Sequence, residues 1–316
     1  MSNSVIGALM LAIVTIMLAW AARRVWRSRN LWARWLGGVF VALGTLIFAA
    51  LTIFAALGIN KLFRRNTVSV PEVTVSGTPE QIARGDHLAT VICAGCHSEN
   101  DTLPLSGGGS LSEDAGMPLG DIYAPNLTPA TDIKDWSDAD LFRVIRTGVD
   151  DEGRATAMTA VIGAQALSDE DTLALIAYMR QAPAVEHETP EFKPSVLMAI
   201  LSGAGMVPMK IPSSVTPLPA PARGPTVEYG QYVTAFMDCR SCHGQKLDGK
   251  VAPPYPPGPN LQADFFGWSK DEFVNEVRNQ AAAIKPGEVM PWTDVSNLDD
   301  LELEALYLYM HQAAGP

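Results

Sequence analysis

Four cysteines occur in 316 residues, and all four fall in two short motifs, Cys93-Ala94-Gly95-Cys96-His97 and Cys239-Arg240-Ser241-Cys242-His243. Both read C-x-x-C-H, the arrangement that attaches c-type haem. Each thiol adds to one haem vinyl group. A two-residue gap on a helical turn sets the sulfurs at the separation of the two vinyls, and the next histidine comes to lie beneath the iron as its first axial ligand. A zinc site would need further Cys or His at zinc spacing, and no other cysteine exists. A dithiol redox motif belongs in a βαβ setting, and no strand alternation is visible. The expected cofactors are two covalently bound haem c groups with iron, attached at Cys93, Cys96, Cys239 and Cys242 and ligated by His97 and His243. No cysteine remains for a disulfide framework.

An iron held by histidine alone is open to chemistry, whereas a second strong ligand closes it for electron transfer. An internal repeat points to that ligand. Pro125-Asn126-Leu127 matches Pro259-Asn260-Leu261, Trp136-Ser137-Asp138 matches Trp268-Ser269-Lys270, and Tyr178-Met179 matches Tyr309-Met310. Met158 and Met290 each follow their tryptophan by 22 residues. That shared offset selects them from twelve methionines as the sixth ligands. Met117 has no counterpart in the second copy, and Met179 and Met310 fall in mid-helix, where methionine packs. Trp136 and Trp268 are candidates to hydrogen-bond the haem propionates, as are Arg143, Arg146 and Arg278. His87, in the position of Tyr232, and His187 lack matched partners and read as structural.

The elements that position these residues are helical. Thr78-Pro79-Glu80-Gln81 places a capping Thr before a Pro at the first helical position. Ser137 and Ser269 open helices over Asp138–Thr147 and Lys270–Asn279. Ser168 opens one through Met179, and Asn297 and Asp299 open the last. Each copy is expected to be a small all-α unit whose core is largely the haem. Residues 66–184 form the first unit and 226–316 the second. Residues 185–225 form a linker in which Pro190, Pro194, Pro208, Pro212, Pro217, Pro219 and Pro221 recur, a composition that favours an extended, semi-rigid chain. Inside it, Val196–Leu201 is apolar but too short to span a bilayer. It can lie at a membrane surface, plug into a partner or bridge the two units.

Residues 1–65 hold eight basic residues and no acidic one. Val5–Ala22 and Leu36–Ile59 are uncharged and apolar, each long enough to cross a hydrocarbon core of roughly 30 Å. Between them lie Arg23, Arg24, Arg27, Arg29 and Arg34 with Trp26, Trp32 and Trp35. Arginine clusters stay cytoplasmic and tryptophan prefers the interface. The expected anchor is a two-span hairpin with its loop inside and both ends outside, in a bacterial cytoplasmic membrane with the haem units on the periplasmic side. The first 22 residues lack the basic start of a signal peptide. The remainder carries 15 basic against 34 acidic residues. Such a body argues against nucleic acid as a partner and suits a basic redox partner protein.

With these residues in view, the chain resembles the multihaem c-type cytochromes. Ile122-Tyr123-Ala124-Pro125-Asn126-Leu127-Thr128-Pro129, Trp136-Ser137-Asp138-Ala139-Asp140 and Arg146-Thr147-Gly148-Val149 are similar to the cytochrome c subunits of membrane-bound alcohol and gluconate dehydrogenases. The resemblance covers residues 78–316. It implies covalent haem c, His/Met ligation and a periplasmic compartment. The expected architecture is all-α, a transmembrane hairpin followed by two tandem cytochrome c domains. The expected role is electron transfer within a larger respiratory or photosynthetic complex, with no catalytic residue of its own. The alternatives are a periplasmic dehydrogenase's cytochrome subunit and a di-haem peroxidase-type enzyme, which needs an open iron.

Overall fold

The structure is a computed structural model that describes residues 3–160, 162–207, 209–251, 257–264, 267–283 and 290–313. Pro208 lies outside these residues. The chain is mainly helical, 58% helix and 4% strand.

Helices α1 (Asn3–Trp26) and α2 (Gly38–Phe63) form the apolar hairpin, with a wider helical turn, Ala33–Gly37, leading into α2. Helix α1 runs past its apolar stretch through Arg23, Arg24 and Trp26, and α2 continues through Lys61 to Phe63, since these residues also suit a helix. Thr15 and Thr52 place their hydroxyls 3.2 Å apart across the pair, and each donates to a carbonyl one turn back. The hydroxyls are thus satisfied within the hairpin, and the helices satisfy their own backbone, as a lipid environment would demand. Leu9, Ile13, Ile16, Phe40 and Leu46 remain exposed, an apolar belt that water would not tolerate.

The first haem unit is built on α3 (Pro79–Leu88), α4 (Asp138–Thr147) and α5 (Asp169–Gln181). Their capping is local. Thr78 and Ser168 accept from backbone N–H groups three residues on, and Ser137 forms a capping box with Asp140, each cap worth about 1 kcal/mol. After α5 the linker does not stand free. Lys193–Pro194 pairs as a short antiparallel strand with Gly120–Asp121. Helix α6 (Val196–Gly203), capped by Ser195, then packs against α2 and the start of α1. Gly58 lies directly on the Ala199 carbonyl and Gly203 on the Phe54 carbonyl, where no Cβ fits. Small residues let helices approach this closely, and dispersion holds them. Lys61 Nζ donates to Ser202 O at 2.9 Å. Val196–Leu201 thus belongs to the hairpin, and Val215, further along, is buried beside the first unit with Ser69 bridging Ser214. Prolines showed an extended path but not these contacts, which come from residues distant in sequence.

The second unit contains α7 (Val227–Phe236), α8 (Lys270–Ala282), the short α9 (Trp292–Ser296) and α10 (Asp300–Ala313). It repeats the first. In one unit α3 crosses α5 with Gly85 against the Ala174 carbonyl and Tyr178. In the other α7 crosses α10 with Gly230 against the Ala305 carbonyl and Tyr309.

The two units share one continuous apolar core, including Leu88, Leu175, Tyr229, Val233, Phe236 and Leu303. A network of charged and hydroxyl groups crosses it. Arg84 bridges Asp171 and Glu302 at 2.8 Å each, and Tyr232 donates to Asp171 at 2.8 Å. His87 lies 2.7 Å from Glu302. The repeat makes Asp171 equivalent to Glu302 and Tyr232 equivalent to His87, so the units meet through a pseudo-twofold exchange of matched residues. His87 is structural, as the sequence suggested, and its place is this junction. Burial, with the neighbouring Asp171 carboxylate, pushes the Tyr232 phenol up; it stays a donor.

Candidate haem sites

Each C-x-x-C-H segment follows a helix of the crossing pair. In the first unit α3 runs on through a wider turn, Ala89–Cys93, into Ala94–His97. In the second, Asp238 takes a left-handed conformation (φ 51°) before the turn Cys239–His243. The two imidazoles are then oriented identically. His97 Nδ1 lies 2.8 Å from Pro125 O, and His243 Nδ1 lies 2.9 Å from Pro259 O. A carbonyl only accepts, so Nδ1 carries the proton and Nε2 keeps its lone pair, the tautomer that a metal ligand needs. Burial pushes His97 down against the bond from Pro125, which keeps the ring neutral. The Pro-Asn-Leu repeat therefore has a job: its proline carbonyl fixes the histidine. Asn126 and Asn260 close the same turn, each accepting from the backbone N–H two residues on.

These surroundings fit haem c. Burial pushes all four thiols up, Cys93 and Cys239 to about 12, and none of the four is in a disulfide. Beside Cys93 the Tyr178 hydroxyl is buried with no hydrogen-bond partner among the described residues, which marks a polar partner that the polypeptide does not supply. Bound haem c supplies a one-electron ferric/ferrous couple.

Met158 sits half-buried on a 3-10 turn, Ala157–Ala160. Its N–H donates to Thr156 Oγ1 at 3.2 Å, and its carbonyl accepts from Gln165 Nε2 at 2.9 Å. Met290 is half-buried against the core, and its carbonyl accepts from Trp292 N at 2.8 Å. Both methionines thus stand on braced turns. Met117 is exposed, while Met179 and Met310 are buried in their helices. Trp136 and Trp268 are half-buried against the core, and their carbonyls are held by Arg180 and Tyr307. The three arginines are engaged by nearby groups of the chain. Arg143 donates to Asp140 and Asp150 O, Arg146 to Asp169 and Thr216 O, and Arg278 to Asp300. Arg146 Nε is buried without a hydrogen-bond partner among the described residues. His187 Nδ1 lies 2.8 Å from Ser106 O, in a packing role.

One feature of the sites has no sequence signal. Helix α9 packs on the turn Ala89–Cys93, and both Asp294 carboxylate oxygens lie within 3.2 Å of where a Cβ on Gly95 would sit. The reciprocal contact joins Gly163, just after Met158, to Phe236 and Asp238, just before Cys239. Each unit's methionine segment abuts the other unit's haem-attachment segment.

Comparison with known proteins agrees with this duplication. Residues 82–183 match the cytochrome c family, and residues 226–310 match the family described as cytochrome C oxidase, cbb3-type, subunit III. A fructose dehydrogenase cytochrome subunit from Gluconobacter japonicus is 32% identical over 140 residues, 42% of this chain and 28% of that protein. The chain thus spans under a third of that relative's length. Each attachment motif thus lies within a match to a c-type cytochrome family, which implies two covalent haem c groups, and the chain resembles di-haem c-type cytochromes and dehydrogenase cytochrome subunits.

Proposed function

We propose that this cytochrome is a fixed subunit of a membrane-bound respiratory or photosynthetic complex, with its haem units on the periplasmic face of a bacterial cytoplasmic membrane. The observation that carries the reading is α6. A mobile carrier on a flexible tether would gain from a free linker, whereas here the linker helix packs against Gly7, Phe54 and Gly58 of the chain's own apolar hairpin. The units 66–184 and 226–316 are joined to the hairpin 1–65 by the segment 185–225. His97 and Met158 hold the first iron and His243 and Met290 the second, with Trp136 and Trp268 beside the haem propionates. The chain's own residues exclude water and hold each imidazole in its ligating tautomer. The acidic body receives a basic soluble redox partner.

Membranes solubilised in mild detergent test the assignment. Affinity isolation of the tagged chain is expected to bring down a stoichiometric set of membrane subunits. Recovery of the chain alone would overturn the subunit reading and leave a free, anchored carrier. Stopped-flow electron transfer with the soluble partner should slow as salt rises, because exposed charge is screened within about 10 Å at roughly 0.1 M. The match to a fructose dehydrogenase cytochrome subunit favours a second reading, in which the complex is a periplasmic dehydrogenase. A flavin- or quinone-cofactor protein among the co-isolated chains would select it.

A further inference from the structure

We infer that Asp294, a residue of the second haem unit, lowers the reduction potential of the first haem. Gly95 lies between the two attachment cysteines, and the Asp294 carboxylate rests against it. The prosthetic group joined to Cys93 and Cys96 is therefore held within a few bonds of the residue that this carboxylate touches. The first attachment segment, Val91-Ile92-Cys93-Ala94-Gly95-Cys96, brings no charge of its own. At the second attachment segment the charges are local and mixed. Asp238 precedes Cys239, its carboxylate accepts from Ser241 Oγ at 2.7 Å, and Arg240 follows.

Among the described residues no cation pairs with Asp294, and the charge that acts on it is a second acid, Asp101. Burial and Asp101 lift its carboxyl to about 6, so at pH 8 it is ionised. An uncompensated negative charge in a half-buried setting stabilises the more positive ferric state. The first haem is a weaker electron acceptor for that reason, and the second unit, through α9, sets the energy of an electron on the first. This rests on haem attachment at Cys93 and Cys96 and is independent of which complex the chain serves.

Spectroelectrochemical titration of the purified full-length holoprotein at pH 8 tests the inference. Loss of one wave in the Cys93→Ala/Cys96→Ala variant, with retention of one in Cys239→Ala/Cys242→Ala, assigns the waves. Asp294→Asn, nearly isosteric, is expected to raise the first-haem potential and leave the second in place. Asp294→Glu, which keeps the charge, is expected to stay close to the native value. An unmoved first wave in Asp294→Asn would overturn the inference. So would equal shifts in the Asn and Glu variants, which would mark a packing effect rather than charge.

Discussion

His87 Nε2 and Glu302 Oε2 lie 2.7 Å apart, although 215 residues separate them and they belong to different haem units. The Glu302 side chain is fully buried, and Arg84 Nη1 contacts its other oxygen at 2.8 Å. Burial alone would raise this carboxyl, but hydrogen bonds and charge from His87 and Arg84 outweigh it and bring the group to about 2. The mirrored half, Tyr232 with Asp171, uses a hydroxyl in place of the imidazole.

Glu302→Ala is expected to destabilise the haem body by about 2–3 kcal/mol, the cost of losing hydrogen bonds to charged partners. Arg84, which Asp171 still holds, limits the loss to this range. Chemical denaturation of the detergent-solubilised holoprotein, followed by the Soret band, measures it. An effect below about 1 kcal/mol would mean that the network adds nothing to the joining of the units.

The junction also has an acid limit. The Glu302 carboxyl is depressed in the folded chain, from 4.5 to about 2. As pH falls, the unfolded chain takes up the proton first. The stabilisation is therefore complete above about 4.5 and is lost as pH falls from there through about 2. The stability gap between the native chain and Glu302→Gln should shrink steadily over that window. A gap that stays constant would place the proton elsewhere.

Met158→Ala and Met290→Ala should each remove one haem's share of the weak iron–sulfur absorption at the red edge of the ferric spectrum. Each should also lower that haem's potential, since a thioether ligand favours the ferrous state. Because the two methionine turns are braced by different partners, the effects should be confined to one haem each. A variant with unchanged spectrum and potential has lost a core methionine, not a ligand.

The anchor can be mapped by labelling. A cysteine at Ser28, in the arginine-rich loop, should resist an impermeant thiol reagent in intact cells, while one at Ser76 should react. Gly203→Leu should separate α6 from α2, since nothing larger than glycine fits against the Phe54 carbonyl. Limited proteolysis within 204–225 should then become faster, with both haems retained. Labelling at Ser28 and protection at Ser76 would invert the topology.

By itself the sequence determined the chemistry, because attachment of haem c depends on a few covalent positions along one helical turn. Cys93, Cys96, His97 and their second set, the paired tryptophans and the 22-residue offset to Met158 and Met290, are all local or repeated spacings. The helix starts at Thr78, Ser137, Ser168 and Ser269 were legible for the same reason: a cap is a contact over three residues. Only the tertiary structure decided what Pro125, Asn126 and their repeats do, since the Pro125 carbonyl meets a histidine 28 residues away. It placed Val196–Leu201 on the hairpin rather than on a partner, through backbone contacts that a hydropathy pattern does not encode. Nothing in the local sequence sets Glu302 and Asp294 apart from the other acidic residues. Their burial, and the groups that each meets, arise only when the second unit folds against the first.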